Sequence, residues 1–283
     1  MTQIDGPLDK KLLGDTAWNY GAFVLVAGTG VVLNFFIAAH FGTIALGQFN
    51  QIYAVYIVAA QLAVFGIHDA AQKYVAQHAG DTSSRLHAAR AAVGLAALLG
   101  LVIAAAVWLL AGAIGSIADS EPVGEGVALA APGLALFAVN KVLMGILNGE
   151  RRMRAFAIMQ GLRVLAILAF ALLTADQGWP AYILGAGFTV AEALIVLPLL
   201  VLVKPWRRGA EATEGTDLWL RRHLGFGSKA LPNGFLAESY VRVDVLMLAV
   251  FVDDAAIGIY SFAAMFIEGL YQVPVVVRTV VNP

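Results

Sequence analysis

The 283-residue chain contains no cysteine, which excludes disulfides, thiolate nucleophiles, iron–sulfur clusters and Cys-ligated zinc. It is also poor in charge: 13% of residues are Asp, Glu, Lys or Arg, against about 25% in a soluble domain. Its 18 cations and 19 anions nearly cancel, so the broad basic surface that a nucleic-acid-binding protein needs is absent. Period-two alternation of apolar and polar residues is missing too, which excludes an outer-membrane β-barrel. His40, His68, His78, His87 and His223 show no metal-ligand spacing, and Gly28-Thr-Gly30 lacks the strand and third glycine of a dinucleotide loop, so no metal and no cofactor are expected.

What the chain has in abundance is apolar residues, 60% of the total, with a mean hydropathy of +0.80. Eight segments reach the roughly 20 apolar residues that a membrane-crossing helix needs: 17–39, 49–67, 91–114, 127–147, 155–174, 181–203, 230–252 and 255–281. The expected fold is therefore all-α, a polytopic membrane protein of about eight transmembrane helices. The first segment is about twice the length of a signal-peptide core and further spans follow it, so it reads as a retained helix.

The cations alternate. Lys10 and Lys11 precede the first segment, Lys73, Arg85 and Arg90 follow the second, and Arg151, Arg152 and Arg154 follow the fourth. Lys204, Arg207, Arg208, Arg221, Arg222 and Lys229 follow the sixth, while the intervening loops carry no Lys or Arg. Because short cytoplasmic loops collect cations, the N-terminus is expected in the cytoplasm of a cell whose inner membrane holds the chain.

The exits of the first and seventh segments resemble each other. Asn34 stands seven residues before Phe41, followed by Gly47-Gln-Phe49-Asn50; Asp244 stands seven before Phe251, followed by Gly258-Ile-Tyr260-Ser261. The offset is about 210 residues, and parallel repeats of this kind are a transporter design. A six-helix repeat unit makes 1–203 one lobe, 204–222 a polar cytoplasmic linker and 223–283 the start of a second lobe. By that spacing the chain is expected to be a fragment unable to transport alone; the other reading is a complete eight-helix protein.

Several short patterns point the same way: Thr16-Ala-Trp-Asn19, Phe41-Gly42 with Gly47-Gln-Phe49, Gly66-Ile-His-Asp69 with Lys73-Tyr74, and Gly145-Ile-Leu-Asn-Gly149 leading to Arg151–Phe156 and Gln160. With Asp244 and Gly258-Ile-Tyr-Ser-Phe-Ala-Ala264, they resemble the polysaccharide (O-antigen) flippases of the multidrug/oligosaccharidyl-lipid/polysaccharide exporter superfamily. The resemblance implies two six-helix lobes that carry a polyprenyl-diphosphate-linked glycan from the inner to the outer leaflet by alternating access, for polysaccharide or lipopolysaccharide export. The Arg-Asp pair of lipid II flippases has no match in residues 17–41, a departure from that branch. The partners implied are the lipid-linked glycan, the bilayer and a coupling ion, proton or sodium.

Charges inside spans cost roughly 2.5–3.5 kcal/mol each on insertion scales, so those present are candidate site residues. They are Lys141, Arg163, Glu192, Glu238, Arg242, Asp244 and Glu268. On a continuous helix from 230, Arg242 would lie about 18 Å deep with Glu238 on its face and Asp244 about 200° away. The Glu238–Arg242 pair either serves the substrate or only locks helix packing. Lys141, about 9 Å from its helix end, is expected to snorkel; if it and Arg163 line a cavity instead, they and Arg242 would grip a diphosphate. Glu192 and Glu268 are candidates for ion coupling or for structural hydrogen bonds, and Pro132, Pro198 and Pro274 for kinks.

Two alternatives stand beside flipping. An ion-coupled drug exporter of the same superfamily would use carboxylates in the first lobe, and the first three segments have none. A glycan polymerase or ligase would need a large outer loop bearing Arg or His, so no enzyme is expected.

Overall fold

The computed structural model describes residues 7–207, 215–239 and 242–281; the side chains of Lys10, Lys11, Glu238 and Glu268 lie outside the described residues. The helices in chain order are α1 (Pro7–Val64), α2 (Ile67–Gln77), α3 (Thr82–Ile117), α4 (Glu121–Gly149), α5 (Met153–Asp176), a 3-10 turn (Ala181–Gly185) leading into α6 (Ala186–Val203), α7 (Thr216–Ser239), α8 (Val243–Leu248) and α9 (Asp254–Val281). The described residues are otherwise turns, and the fold is all-α as expected.

The 58 residues of α1 form a hairpin. Gly42 has φ 87° and ψ 176°, a conformation open to glycine and strained for side chains. Eight residues to either side, the Asn50 amide donates to Asn34 Oδ1 at 3.1 Å. Along an unbroken helix those residues would stand about 24 Å apart, so the chain doubles back and α1 supplies two antiparallel passes. Among the described residues five helices are long and apolar enough to cross a membrane, within Ala17–Val64, Thr82–Ile117, Glu121–Gly149, Met153–Asp176 and Ala181–Val203. With the hairpin, these cover the six segments expected before residue 204.

Beyond that point the structure corrects the sequence reading. The seventh segment is not one helix over 230–252. α7 begins at Thr216, inside the stretch expected as linker, and ends at Ser239; α8 opens only after Arg242, whose φ of −128° and ψ of −5° are not helical. The cause of the early start is Trp219, fully buried against Ala88 and Ala91 of α3, with the Tyr74 ring 5.7 Å away and the His223 ring nitrogen Nε2 2.9 Å from the Ala88 carbonyl. The eighth segment is helical as α9, with Asp254–Ile267 its described apolar part.

The connections sort by charge. At one end Arg90 Nε donates to the Pro205 carbonyl at 2.7 Å and Arg152 Nη1 to Leu202 at 2.8 Å. There too Arg85 lies 3.9 Å from Glu150, and the Lys73 ammonium stands 4.6 Å from the Phe226 ring centre. At the other end the cation-free turns meet: Gly126 abuts the Tyr182 carbonyl and Gly185, and Ser120 bonds to Asp254. Every one of these contacts joins segments that the cation alternation puts on the same side.

Small residues let the backbones approach. A Cβ on Gly145 would lie 2.6 Å from the His68 carbonyl oxygen, and one on Gly149 the same distance from that of Gln72, so α4 crosses α2 at a Gly-x-x-x-Gly step. Pro132 sits inside α4 without ending it. Thr189 of α6 enters the gap: its hydroxyl donates to the Leu129 carbonyl at 2.7 Å and accepts from the Gly133 amide at 3.0 Å, replacing the helical bond between those two groups. The Asp81 carboxylate caps α3 by accepting from the Ser83 and Ser84 amides, and the Ser84 side chain first, then these amides, hold its pKa below the usual value.

Candidate functional site

Glu192 of α6 is 2% exposed and is surrounded by donors. The Arg163 Nη2 donates to Oε2 at 3.2 Å while Nε lies 2.8 Å from Oε1, too bent for a good hydrogen bond. From α4 the Asn140 amide donates to Oε2 at 2.7 Å and to the Glu192 carbonyl at 2.9 Å. Three helices are thereby tied at one buried carboxylate. A lone charge there would be expensive; paired and bonded, it is tolerated. Of the intramembrane groups picked out from the sequence, Arg163 and Glu192 are brought together, with the cation and the carboxylate neutralising each other.

An aromatic stack runs from this cluster toward α8. The Arg163 guanidinium lies 5.0 Å from the Phe137 ring centre, Phe137 meets Tyr56 edge-on at 6.0 Å, and Tyr56 stacks on Phe188 at 4.8 Å. Phe188 stacks in turn on Tyr53 at 5.7 Å, and over the Tyr53 ring, 5.0 Å from its centre, stands the Arg242 guanidinium. Arg242 and Arg163 therefore occupy the two ends of one ladder of rings. The Tyr56 hydroxyl in the ladder and the Asn140 Oδ1 beside Glu192 are buried and have no hydrogen-bond partner among the described residues.

The other expected site residues are dispersed. Asp244 accepts the Val245 amide at 2.8 Å and the Tyr260 hydroxyl, pinning α8 to α9. Because Arg242 itself is not helical, the opposed faces expected of Arg242 and Asp244 on one continuous helix do not apply; the expected pairing of Glu238 with Arg242 falls outside the described side chains, as does Glu268. Lys141 approaches His68 at the start of α2: burial, and then the Lys141 ammonium, push the His68 pKa down to about 4, with Asp69 opposing. Among the described residues no cluster of His, Asp and Glu could hold a metal ion.

The sequence reading missed Asp254. One carboxylate oxygen accepts from the Gln51 amide at 2.6 Å; the other accepts from Gln48 at 2.9 Å and from the Ser120 hydroxyl at 2.8 Å. The charge that opens α9 is thus held by two residues of α1 and one of the turn before α4. Beside it Gly47 and Gly258 cross: a Cβ on either would collide with a carbonyl, that of Asp254 for Gly47 and that of Thr43 for Gly258. The visible signal was the repeat, which aligned Gly47 with Gly258. The repeat returns in the hydrogen bonds, since Asn34 pairs with Asn50 and Asp244 with Tyr260, sixteen residues on in each case.

This is the fold of a membrane transporter: the structure matches that of a protein described as a multidrug resistance MATE family transporter of the MOP superfamily in its inward-facing conformation, with a TM-score of 0.54 at 14% identity. The match covers 85% of this chain and 56% of that one, so the chain spans little more than half the length of that transporter. A family model described as polysaccharide biosynthesis protein matches residues 12–281, and the chain belongs to that family, the polysaccharide flippases suggested by its sequence patterns. No curated protein matches the chain.

Proposed function

We propose that the protein flips a polyprenyl-diphosphate-linked oligosaccharide from the inner to the outer leaflet by alternating access, with the cation-bearing end in the cytoplasm. The observation that carries the reading is Arg242. It lies between the first six passes and α9, at a break in the helix, with its guanidinium on the Tyr53 ring. A guanidinium's fork matches phosphate oxygens, and stacking on a ring fixes its position. Arg163 is bound to Glu192 and serves to fix the floor of the aromatic ladder. Lys141 would meet the substrate as it enters, and Glu238 and Asp244 flank Arg242 in the chain.

The supporting geometry is the joined cation-free end. Gly47, Gly258 and Asp254 hold α1 to α9 there, as an inward-facing transporter requires. The ion-coupled drug exporter draws on the buried Glu192 and on the fold neighbour, and would use Glu192 or Glu268 to bind a proton or sodium. A chromosomal Arg242→Ala substitution separates the two. Glycan export is expected to stop while the protein still inserts; unchanged export would remove Arg242 from the site.

A further inference from the structure

The turn between α4 and α5 holds Arg151, Arg152 and Arg154, and these line a cavity of about 350 Å³ with Met153, Ala155 and Ile158. Glu150 binds Arg152 at 3.2 Å and lies 3.9 Å from Arg85, so its carboxylate is shared by those two guanidiniums. Arg151 and Arg154 are exposed and make no ion pair with the described acids. Arg152 is anchored as well on the Leu202 carbonyl, which fixes the back of the cavity.

The depth of the cavity is set by its neighbours. The Arg154 guanidinium carbon lies 5.2 Å from the ring centre of Trp18, at the head of the first pass, and indoles of spanning helices collect at the boundary between water and hydrocarbon. Ile158, one turn further along α5, is 44% exposed and offers an apolar wall on the hydrocarbon side of the arginines. No side-chain hydrogen bond caps the start of α5. Three guanidiniums suit a phosphodiester; an apolar wall below them suits the acyl chain attached to it. A free phosphate would make no use of Ile158, and a zwitterionic headgroup would bring its own cation against the arginines.

We propose that this cavity binds the phosphodiester of an anionic phospholipid in the leaflet at the cation-bearing end. It shares no residue with Arg242 or with the Arg163–Glu192–Asn140 cluster, so it stands or falls apart from the transport reading. Only the name of the leaflet, inner rather than outer, rests on that reading. Bound there, the lipid would fasten the starts of α1 and α5 to the membrane surface.

The test is native mass spectrometry of the whole chain released from micelles doped with phosphatidylglycerol or phosphatidylcholine. Phosphatidylglycerol is expected to be retained preferentially, and Arg151→Ala with Arg154→Ala to weaken it about 25-fold, about fivefold for each basic contact. Phosphatidylcholine should be unaffected, and Arg207→Ala, which removes another exposed cation from the same end, should change retention less than about twofold. An equal loss in Arg207→Ala would reduce the effect to general surface charge and overturn the proposal, as would displacement of the lipid by millimolar inorganic phosphate. The pair Arg151→Lys and Arg154→Lys keeps both charges and is expected to retain phosphatidylglycerol within about threefold. Complete loss in that pair would also overturn it.

Discussion

Gly47 and Gly258 lie against each other with no room for a side chain on either: a Cβ on Gly47 would come within 2.9 Å of the Gly258 amide nitrogen, and one on Gly258 within 3.1 Å of that of Gly47. The collisions are reciprocal, each reaching a carbonyl four residues before the opposite glycine. Such a pairing is what a local two-fold axis between the hairpin of α1 and the start of α9 produces. Gly47→Ala and Gly258→Ala are each expected to destabilise the protein by about 1–3 kcal/mol, as overpacking does. The double variant should cost well under their sum, because the first substitution already separates the helices. Thermal melting of the three variants in detergent checks this, and strict additivity would show that the glycines do not share one contact.

Asp254 makes the polar half of the same junction. Asp254→Ala removes an acceptor used by Gln48, Gln51 and Ser120, and hydrogen bonds to a charged group contribute about 1.5–3 kcal/mol. The expected result is a looser joint between α1 and α9. Since the protein has no cysteine, a single Leu46→Cys, at a fully buried position, reports it cleanly. Its reaction with an impermeant maleimide should be slow in the parent and at least about tenfold faster once Asp254 is alanine, an opening cost of about 1.4 kcal/mol.

The Arg163–Glu192 pair predicts an asymmetry between breaking and replacing. Glu192→Gln leaves the guanidinium facing a neutral amide in a buried site, and is expected to cost about 3–5 kcal/mol. Replacing both partners, Arg163→Met with Glu192→Leu, should cost less than either single change. Proteolysis rates or melting temperatures in micelles distinguish these; a double variant worse than both singles would show that the charges are needed for more than each other.

His68 predicts a pH dependence. Its pKa falls from 6.5 in the open chain to about 4 in the folded protein, so the unfolded state binds the extra proton between those values. Stability contributed by the neutral imidazole is full above pH 6.5 and is lost as pH falls toward 4. The loss is about 2 kcal/mol at pH 5 and about 3 kcal/mol at the acid limit. His68→Gln should remove that part of the acid sensitivity, so that the gap between variant and parent narrows or reverses from pH 7.5 to pH 5. Lys141 and Asp69 are the charged groups that bear on the ring, and an unchanged gap would mean the imidazole is not held neutral.

What the sequence determined by itself was everything that depends on local composition. Runs of apolar residues long enough to cross a bilayer, and cations that skip alternate loops, specified the apolar helices before residue 204 and which turns share an end, because hydropathy and charge act residue by residue. The resemblance of residues 34–50 to 244–261 was legible for the same reason. Glu192 and Arg163 could be picked out as charges in apolar runs, but that they cancel each other was not visible, since 29 residues separate them and only the packing of α5 on α6 sets their distance. Arg242 was found for its depth on a helix that is not continuous through it, and the Tyr53 ring on which its guanidinium lies was not visible as a neighbour in the sequence. Asp254 shows the limit most plainly. In the sequence it is one of two acids in a short loop; what makes it a junction is that three donors, 134 to 206 residues away, arrive at its carboxylate. No local pattern encodes that convergence, because the hydrogen bonds form only once the hairpin at Gly42 and the glycine crossing have brought α1 and α9 together.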